Sequence, residues 1–116
     1  MAKVFVLNRG PHDFSSASKL GELVYLSEGT VDKFSTSLIY RTFERHLLKS
    51  SPDDFVIASS LSSMLAVFIG MFASLHHRIN LLIYDVKTKT YETRSLSFDR
   101  LVEKYKLEGE KDVKTT

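Results

Sequence analysis

Hydroxyl side chains gather where an apolar strand gives way to an apolar helix. Four serines stand within five positions, at Ser59, Ser60, Ser62 and Ser63. The free N–H groups and the positive dipole end at a helix start favour an anion, and neighbouring hydroxyls can donate to phosphate oxygens. Serine is also a common helix N-cap. The cluster therefore predicts a capped helix or a phosphate or carboxylate site, and a catalytic serine is a third interpretation.

A second set of polar side chains follows the first two apolar runs of the chain. Arg9 suits bidentate binding of an oxyanion, and His12 can exchange protons near neutral pH. Glu28 follows the second run and could act as a base opposite His12. The alternative interpretation, which the residues taken one by one favour, is that each is an ordinary polar loop residue. Together with the serines they make up the predicted ligand-binding set: Asn8, Arg9, His12, Glu28, Ser59, Ser60 and Ser62.

The elements that would position these residues alternate along the chain. Apolar runs predict strands at residues 3–7, 22–26, 54–58, 79–84 and 91–98. Apolar residues at helical spacing predict one helix behind Asp32, which can cap it, and a second from Leu61 to His76. A short helical connector is predicted between the first two strands, and Asp99 can cap a last short helix through Tyr105.

This order predicts an α/β fold, a small Rossmann-like, mostly parallel sheet of about five strands with an antiparallel edge hairpin and two main helices. A two-layer α+β sandwich, with both helices on one face, is the alternative. The 116 residues fit one domain, which we place at residues 1–106, and residues 107–116 form a charged tail that we expect to fray. In such a sheet, ligands bind beyond the carboxyl ends of the strands, where the candidate residues should converge.

The second predicted helix is apolar around more than half of its circumference, so its own sheet or a partner molecule must cover it. A stripe of mostly small side chains on it permits close approach of another backbone: Ala66, Gly70, Ala73, Ser74 and His77. Tight packing on the sheet or on the neighbouring helix is one interpretation of this stripe. A symmetric helix–helix contact between two copies of the chain is the other.

Composition limits the classes of function. The absence of cysteine removes disulfides, thiolate nucleophiles and cysteine-based metal sites, and it fits a reducing compartment. Sixteen basic and fourteen acidic residues are too balanced for a nucleic-acid footprint, and no glycine-rich phosphate loop is present. The longest apolar run, Leu61 to Leu75, is too short to span a bilayer. We therefore expect a cytoplasmic protein without metal, cofactor, nucleic acid or membrane contact.

Several segments together resemble a family of short hypothetical proteins encoded by bacteriophages and prophages. The segments are 8–15, 21–29, 51–55 and 78–82, and the resemblance extends over residues 3–98. It implies a viral or mobile-element setting, which favours a small accessory or binding protein over a housekeeping enzyme. It supplies no catalytic residues.

These observations favour a phage-type accessory binding protein that accepts an anionic small molecule or a nucleotide at the strand carboxyl ends. One alternative is a protein–protein interaction factor that acts through the apolar second helix or the edge strand. Another is a phosphoester-processing enzyme in which His12 and Glu28 exchange protons. The expected protein partner is a second copy of the chain, giving a homodimer, or a host or viral protein.

Overall fold

The structure, a computed structural model, describes the backbone of residues 1–115 and the side chains of residues 1–109. It contains five strands, three α-helices and a short 3₁₀ helix, Ser15–Lys19. The strands are β1 (Lys3–Val6), β2 (Glu22–Tyr25), β3 (Phe55–Ile57), β4 (Arg78–Asp85) and β5 (Thr90–Ser97). The helices are α1 (Thr36–Leu47), α2 (Ser62–His76) and α3 (Asp99–Thr115).

The strands form one mixed sheet in the order β2-β1-β3-β4-β5. β1 pairs in parallel with both β2 and β3, and β3 pairs in parallel with β4. The β4–β5 hairpin is antiparallel and forms one edge of the sheet. The predicted α/β class, with its mostly parallel sheet and its antiparallel edge hairpin, is confirmed.

Both α1 and α2 pack on the same side of the sheet, which we call the helical face. Their aromatic side chains form the centre of this layer, where the Phe68 ring lies 5.5 Å from that of Phe5 and 6.3 Å from that of Phe43. All three side chains are buried, and the cluster continues through Phe72 into Ile79 of β4. In this placement of the two helices the structure agrees with the alternative sandwich prediction.

The other side of the sheet, which we call the 3₁₀ face, has a thinner cover. Val4, Val6, Ile57 and Leu82 are buried there beneath the segment that contains the 3₁₀ helix, which contributes Ala17 and is preceded by buried Phe14. The predicted helical connector between β1 and β2 is therefore a single short 3₁₀ helix. Its small contact area leaves part of the hairpin uncovered, and Tyr84 is exposed.

Two helix boundaries differ from the sequence prediction. α1 begins at Thr36 with Ser35 as its N-cap, so Asp32 does not cap it. Instead the Asp32 carboxylate accepts from the Phe34 amide and the Ser35 hydroxyl, both at 3.0 Å, and so holds the turn that precedes the helix. α3 continues to Thr115, so the predicted end at Tyr105 is wrong. Fraying of residues 107–116 stays a prediction, and part of that segment lies outside the described residues.

A buried polar network joins three strands at the amino end of the parallel sheet. The Asn80 amide of β4 donates to the carbonyl oxygens of Pro52 and Asp54, at 2.7 and 2.9 Å. The Asp54 carboxylate accepts from the amides of Lys3 and Ser51 at 2.9 and 2.8 Å. Because Asp54 and Asn80 are only 3% and 2% exposed, they depend on these protein partners for their hydrogen bonds.

The C-cap of α2 provides a prediction about stability. His77 ends the helix in the left-handed region, with φ of 57° and ψ of 25°, and its amide donates to the Ala73 carbonyl. Only glycine adopts this conformation without steric cost, so we expect His77→Gly to stabilise the fold by about 0.5–1 kcal/mol. Thermal unfolding followed by circular dichroism should show a midpoint raised by roughly 2–4 °C. His77→Ala, which retains the strain, should show no gain, and a gain in that control instead would contradict the explanation.

Candidate functional site

The strand order marks one place at the carboxyl edge of the sheet where a ligand crevice is expected. β1 lies between β2 and β3. The connection after β1 therefore leads to the strand on one side of it, and the connection after β2 leads to the strand on its other side. Open α/β sheets of this order bind ligands at such a switch point, outside the carboxyl ends of the strands. The segments that follow these three strands, residues 8–12, 27–30 and 59–62, contain the whole predicted ligand-binding set.

Asn8 has a structural role at this edge. Its amide nitrogen donates to the Gly29 carbonyl at 2.9 Å, and its amide oxygen accepts from the Ser27 hydroxyl at 3.0 Å. The same hydroxyl donates to the Leu7 carbonyl at 2.6 Å. Gly29 has a φ of 82°, which favours glycine in this turn. These bonds tie the end of β1 to the loop after β2, so the Asn8 amide is already satisfied.

Arg9 extends the β1–β2 pairing by one bridge and places its side chain on the 3₁₀ face. Its amide donates to the Ser27 carbonyl at 2.8 Å, opposite Glu28. Its guanidinium lies 4.4 Å from the ring centroid of Tyr25, which packs against the 3₁₀-face cluster. A cation over an aromatic face is attracted by the ring quadrupole, and the contact is weak at an exposed site. Arg9 is therefore held loosely, with its charge still open to solvent.

His12 lies in an exposed loop on the same side of the sheet. Its ring is 6.3 Å from that of Phe14, which is buried in the 3₁₀-face cluster. The neighbouring Asp13 carboxylate accepts from the Ser15 amide at 2.9 Å, and this hydrogen bond lowers the pKa of Asp13. Asp13 thus holds the turn into the 3₁₀ helix and does not bond His12.

The serine cluster does not cap α2. Leu61 occupies the N-cap position and no side chain caps the helix, so the predicted capping by Ser59 or Ser60 is wrong. Ser60 has a φ of 86°, and its hydroxyl lies 3.4 Å from the Met64 sulfur. The Ser63 hydroxyl oxygen is buried and has no hydrogen-bond partner among the described residues. The first-turn amides of α2 are consequently left without a side-chain acceptor.

A cleft opens on the helical face at this edge, which we call the carboxyl-edge cleft. It lies between the loop after β2, the first turns of α1 and the start of α2, and it has a volume of about 320 Å³. Its floor is apolar and its rim is polar. The floor includes Ile39, Phe43 and Met64, and the rim includes Ser27, Glu28 and Thr30.

The charge of this cleft is negative. Glu28 and Asp32 line it, and no basic side chain does so among the residues that the structure describes. Asp32 is occupied by the turn before α1, whereas the exposed Glu28 carboxylate makes no hydrogen bond or ion pair within residues 1–109. A cleft of this composition suits a neutral or positively charged group better than an anion.

The predicted residues thus share an edge of the sheet but divide between its faces. Arg9 and His12 contact the 3₁₀-face cluster, whereas Ser60 contacts Met64 of the helical face. Of the predicted set, Glu28 lines the carboxyl-edge cleft. Arg9 and Ser60 therefore do not point to one common ligand position in this structure. Ligand binding by the individual residues stays a prediction.

Comparison with known proteins identifies the family of the chain. The family model for the Phage Pam3 gp32-like protein matches residues 2–101. The chain belongs to this phage protein family. Neither a curated protein nor a solved structure gives a significant match. The predicted relationship to a phage protein family is confirmed by the match.

Two further findings on this member of the Pam3 gp32-like family concern membrane spans and metal sites. No helix in the described part of the chain combines the length and the apolar character that crossing a membrane requires. Within the same part, no three histidine, aspartate or glutamate side chains are grouped so that they could hold a metal ion.

Sequence reasoning missed the residues that shape the cleft in this family member. Helical spacing predicts only that Phe43 and Met64 lie on apolar helix faces, and the predicted ligand-binding set does not contain Ser27. Helical periodicity shows that such residues are buried, but it does not show where two helix ends leave a space between them. The position of Ser27 directly after a strand was the available signal.

Proposed function

We propose that this phage protein is a small binding protein that takes a small molecule in the carboxyl-edge cleft. The observation that carries the proposal is the cleft itself, a concave space with an apolar floor and a free carboxylate at the edge where α/β sheets bind ligands. Its volume of about 320 Å³ is near the lower limit of ligand pockets, so the ligand is small.

The lining indicates the chemistry of the ligand. Val31 and Leu38 are the accessible apolar residues of the lining and favour an apolar body, and the Ser27 and Thr30 hydroxyls can bond polar atoms at the rim. The Glu28 carboxylate would accept a charge-assisted hydrogen bond from a protonated amine. We therefore propose a small amine with an apolar portion as the ligand class.

A thermal-shift screen tests this proposal directly. Small aliphatic and aromatic amines, such as putrescine and tyramine, should raise the unfolding midpoint, because a ligand at a hundredfold excess over its dissociation constant adds about 2.7 kcal/mol. The Glu28→Gln variant, which keeps the shape of the side chain, should bind the active amine at least about tenfold more weakly, since a hydrogen bond to a charged group contributes about 1.5–3 kcal/mol.

Glu22→Gln is the matched control for the screen. Glu22 is an exposed carboxylate at the opposite end of β2, and the same change of charge there should leave the amine-induced shift unaltered. Equal shifts in wild type and Glu28→Gln would contradict the assignment of Glu28. The absence of a shift with every amine would overturn the proposal.

A second candidate is an anionic small molecule or nucleotide at the start of α2. The observation that favours it is the uncapped first turn of α2 beside the switch point, with the Ser59 and Ser62 hydroxyls nearby. Phosphate, sulfate and mononucleotides in the same screen test it. A shift that Glu28→Gln retains or increases, and that Ser62→Ala reduces, supports this candidate. Loss of the shift in Arg9→Ala would show that the guanidinium leaves Tyr25 to join the ligand.

A further inference from the structure

A long groove runs along the outer surface between α1 and α2, and we call it the helix groove. It has a volume of about 880 Å³ and lies on the opposite side of these helices from the sheet. The floor consists of the small residues Ala66, Gly70 and Ser74 of α2, and the rim carries Tyr40, Leu48 and Leu75. These rim side chains are 47%, 72% and 47% exposed, so a large apolar surface faces solvent.

The floor of the helix groove permits the close approach of another helix. Ala66, Gly70 and Ser74 recur every four residues and therefore lie on one line along α2. A Cβ atom added at Gly70 would meet no neighbouring atom within 4 Å, so no residue in the described part of the chain fills this part of the groove. Helix axes approach most closely where the side chains between them are small.

The same chain carries a helix that has no surface to pack on. Every described side chain of α3 is exposed, including Leu101 at 66% and Tyr105 at 79%. Leu101, Val102 and Tyr105 lie within about 100° of the helix circumference, so they form one apolar stripe. A single helix of 17 residues is only marginally stable in water without a packed face. α3 therefore requires a partner surface.

α3 does not fold back into the helix groove of its own chain, since its residues from Asp99 to Gly109 are all exposed. Phe98 is the single residue between β5 and α3, its amide donates to the His77 carbonyl at 2.8 Å, and its ring packs against the helical-face cluster. α3 thus starts at the far end of α2 and points away from the sheet. The molecule is elongated, with a longest dimension of 57 Å against 32 Å for the next, and α3 is about 25 Å long.

We propose that α3 of one copy binds in the helix groove of a second copy, and that the exchange is reciprocal. The argument is that one chain carries both an unfilled groove and an unpacked amphipathic helix, and that this helix does not occupy the groove of its own chain. A two-fold axis then repeats the same contact twice and closes the assembly as a dimer. The Tyr105 and Leu101 side chains of α3 would lie over Gly70, and both surfaces carry charges of both signs at their margins.

Size-exclusion chromatography with light scattering tests the proposal on the full chain. Wild type should have twice the 13.2 kDa mass of one chain. Tyr105→Lys should weaken the dimer by at least about 30-fold, as expected for a central aromatic residue of an interface. Leu107→Lys is the matched control, because Leu107 is also an exposed apolar residue of α3 but lies about 200° away around the helix. That control should remain dimeric.

A groove variant separates the loss of the dimer from the loss of folding. Gly70→Gln places a bulky side chain on the groove floor and replaces glycine by a better helix former, so thermal stability of the monomer should be retained while the dimer is lost. Mixing Tyr105→Lys with Gly70→Gln should restore a one-to-one heterodimer, since one intact α3 then meets one intact groove. Neither an α3–α3 contact nor a groove–groove contact predicts this restoration.

Three results would overturn the proposal. A wild-type mass of 13.2 kDa at all concentrations excludes the dimer. A Gly70→Gln variant that remains dimeric excludes the groove, and a Tyr105→Lys variant that remains dimeric excludes α3. These outcomes are independent of the amine screen, because Gly70 and Tyr105 do not line the carboxyl-edge cleft.

Discussion

Replacing Asn80 with leucine is expected to lower the free energy of unfolding by about 2–4 kcal/mol, because each buried polar group left without a partner costs about 1–3 kcal/mol. The substitution removes both donors to the Pro52 and Asp54 carbonyls. It also removes the acceptor of Arg78 and Ser95, whose side chains donate to the Asn80 amide oxygen at 2.9 and 2.8 Å. Leucine adds apolar surface at this site, but it supplies none of these bonds.

Urea denaturation measures the effect of Asn80→Leu. The midpoint should fall while the slope stays the same, as for a change in stability without a change in the unfolded surface. Ser95→Ala is the matched control, since it removes one of the bonds to Asn80 at a partly solvated position and should cost at most about 1 kcal/mol. Equal losses in both variants would mean that the bonds to Pro52 and Asp54 contribute little.

Gly21→Ala is expected to destabilise the fold by about 3 kcal/mol, near the upper end of the usual range for overpacking. A Cβ atom at Gly21 would overlap the carbonyl oxygen of Ala2 and come within 3.2 Å of a Val4 methyl group. The Ala2 carbonyl cannot move away freely, because it accepts from the Glu22 amide at 3.0 Å at the start of the β1–β2 pairing. The strain must therefore displace the backbone of one of the two strands.

Gly10→Ala is the control for the destabilisation expected in Gly21→Ala. An added Cβ atom there meets nothing within 4 Å, and Gly10 does not have a positive φ. Its free energy of unfolding should change by no more than about 0.5 kcal/mol. A comparable loss in both variants would contradict contact with Ala2 as the cause of the effect at Gly21, because the reduced entropy of the unfolded chain favours alanine at both positions.

The sheet and its connections could be predicted because each strand is a short apolar run bounded by turn residues. The continuous apolar run at residues 79–84 also predicts burial of β4 on both faces, which is wrong for its second half, where Ile83 and Tyr84 are exposed. They could not predict that Asn80 would be a central residue of the sheet, because its partners at Pro52 and Asp54 are 28 and 26 positions away. A hydrogen-bond network between distant segments is visible only when the strands are placed side by side.

The candidate site could be predicted as an edge of the sheet but not as a face. The strand-end rule brings the loops of β1, β2 and β3 to the same edge. The side on which each loop residue lies depends on local contacts, such as the position of Arg9 over Tyr25 and of Ser60 against Met64. The sequence offers no signal for these choices.

The small-residue stripe on α2 could be recognised in the sequence. The course of α3 could not, because it depends on how Phe98 is anchored to His77.

The position of β1 between β2 and β3 in the sheet has a consequence during synthesis. Phe5 pairs in register with Val56. The β1–β3 pairing therefore cannot form until the ribosome has added 51 further residues after Phe5. At ordinary translation speeds this delay is roughly 3–10 s. During that interval the Val4–Leu7 run has at most β2 beside it and lacks the cover of α2, so the nascent chain presents an aggregation-prone apolar segment until the second half has emerged.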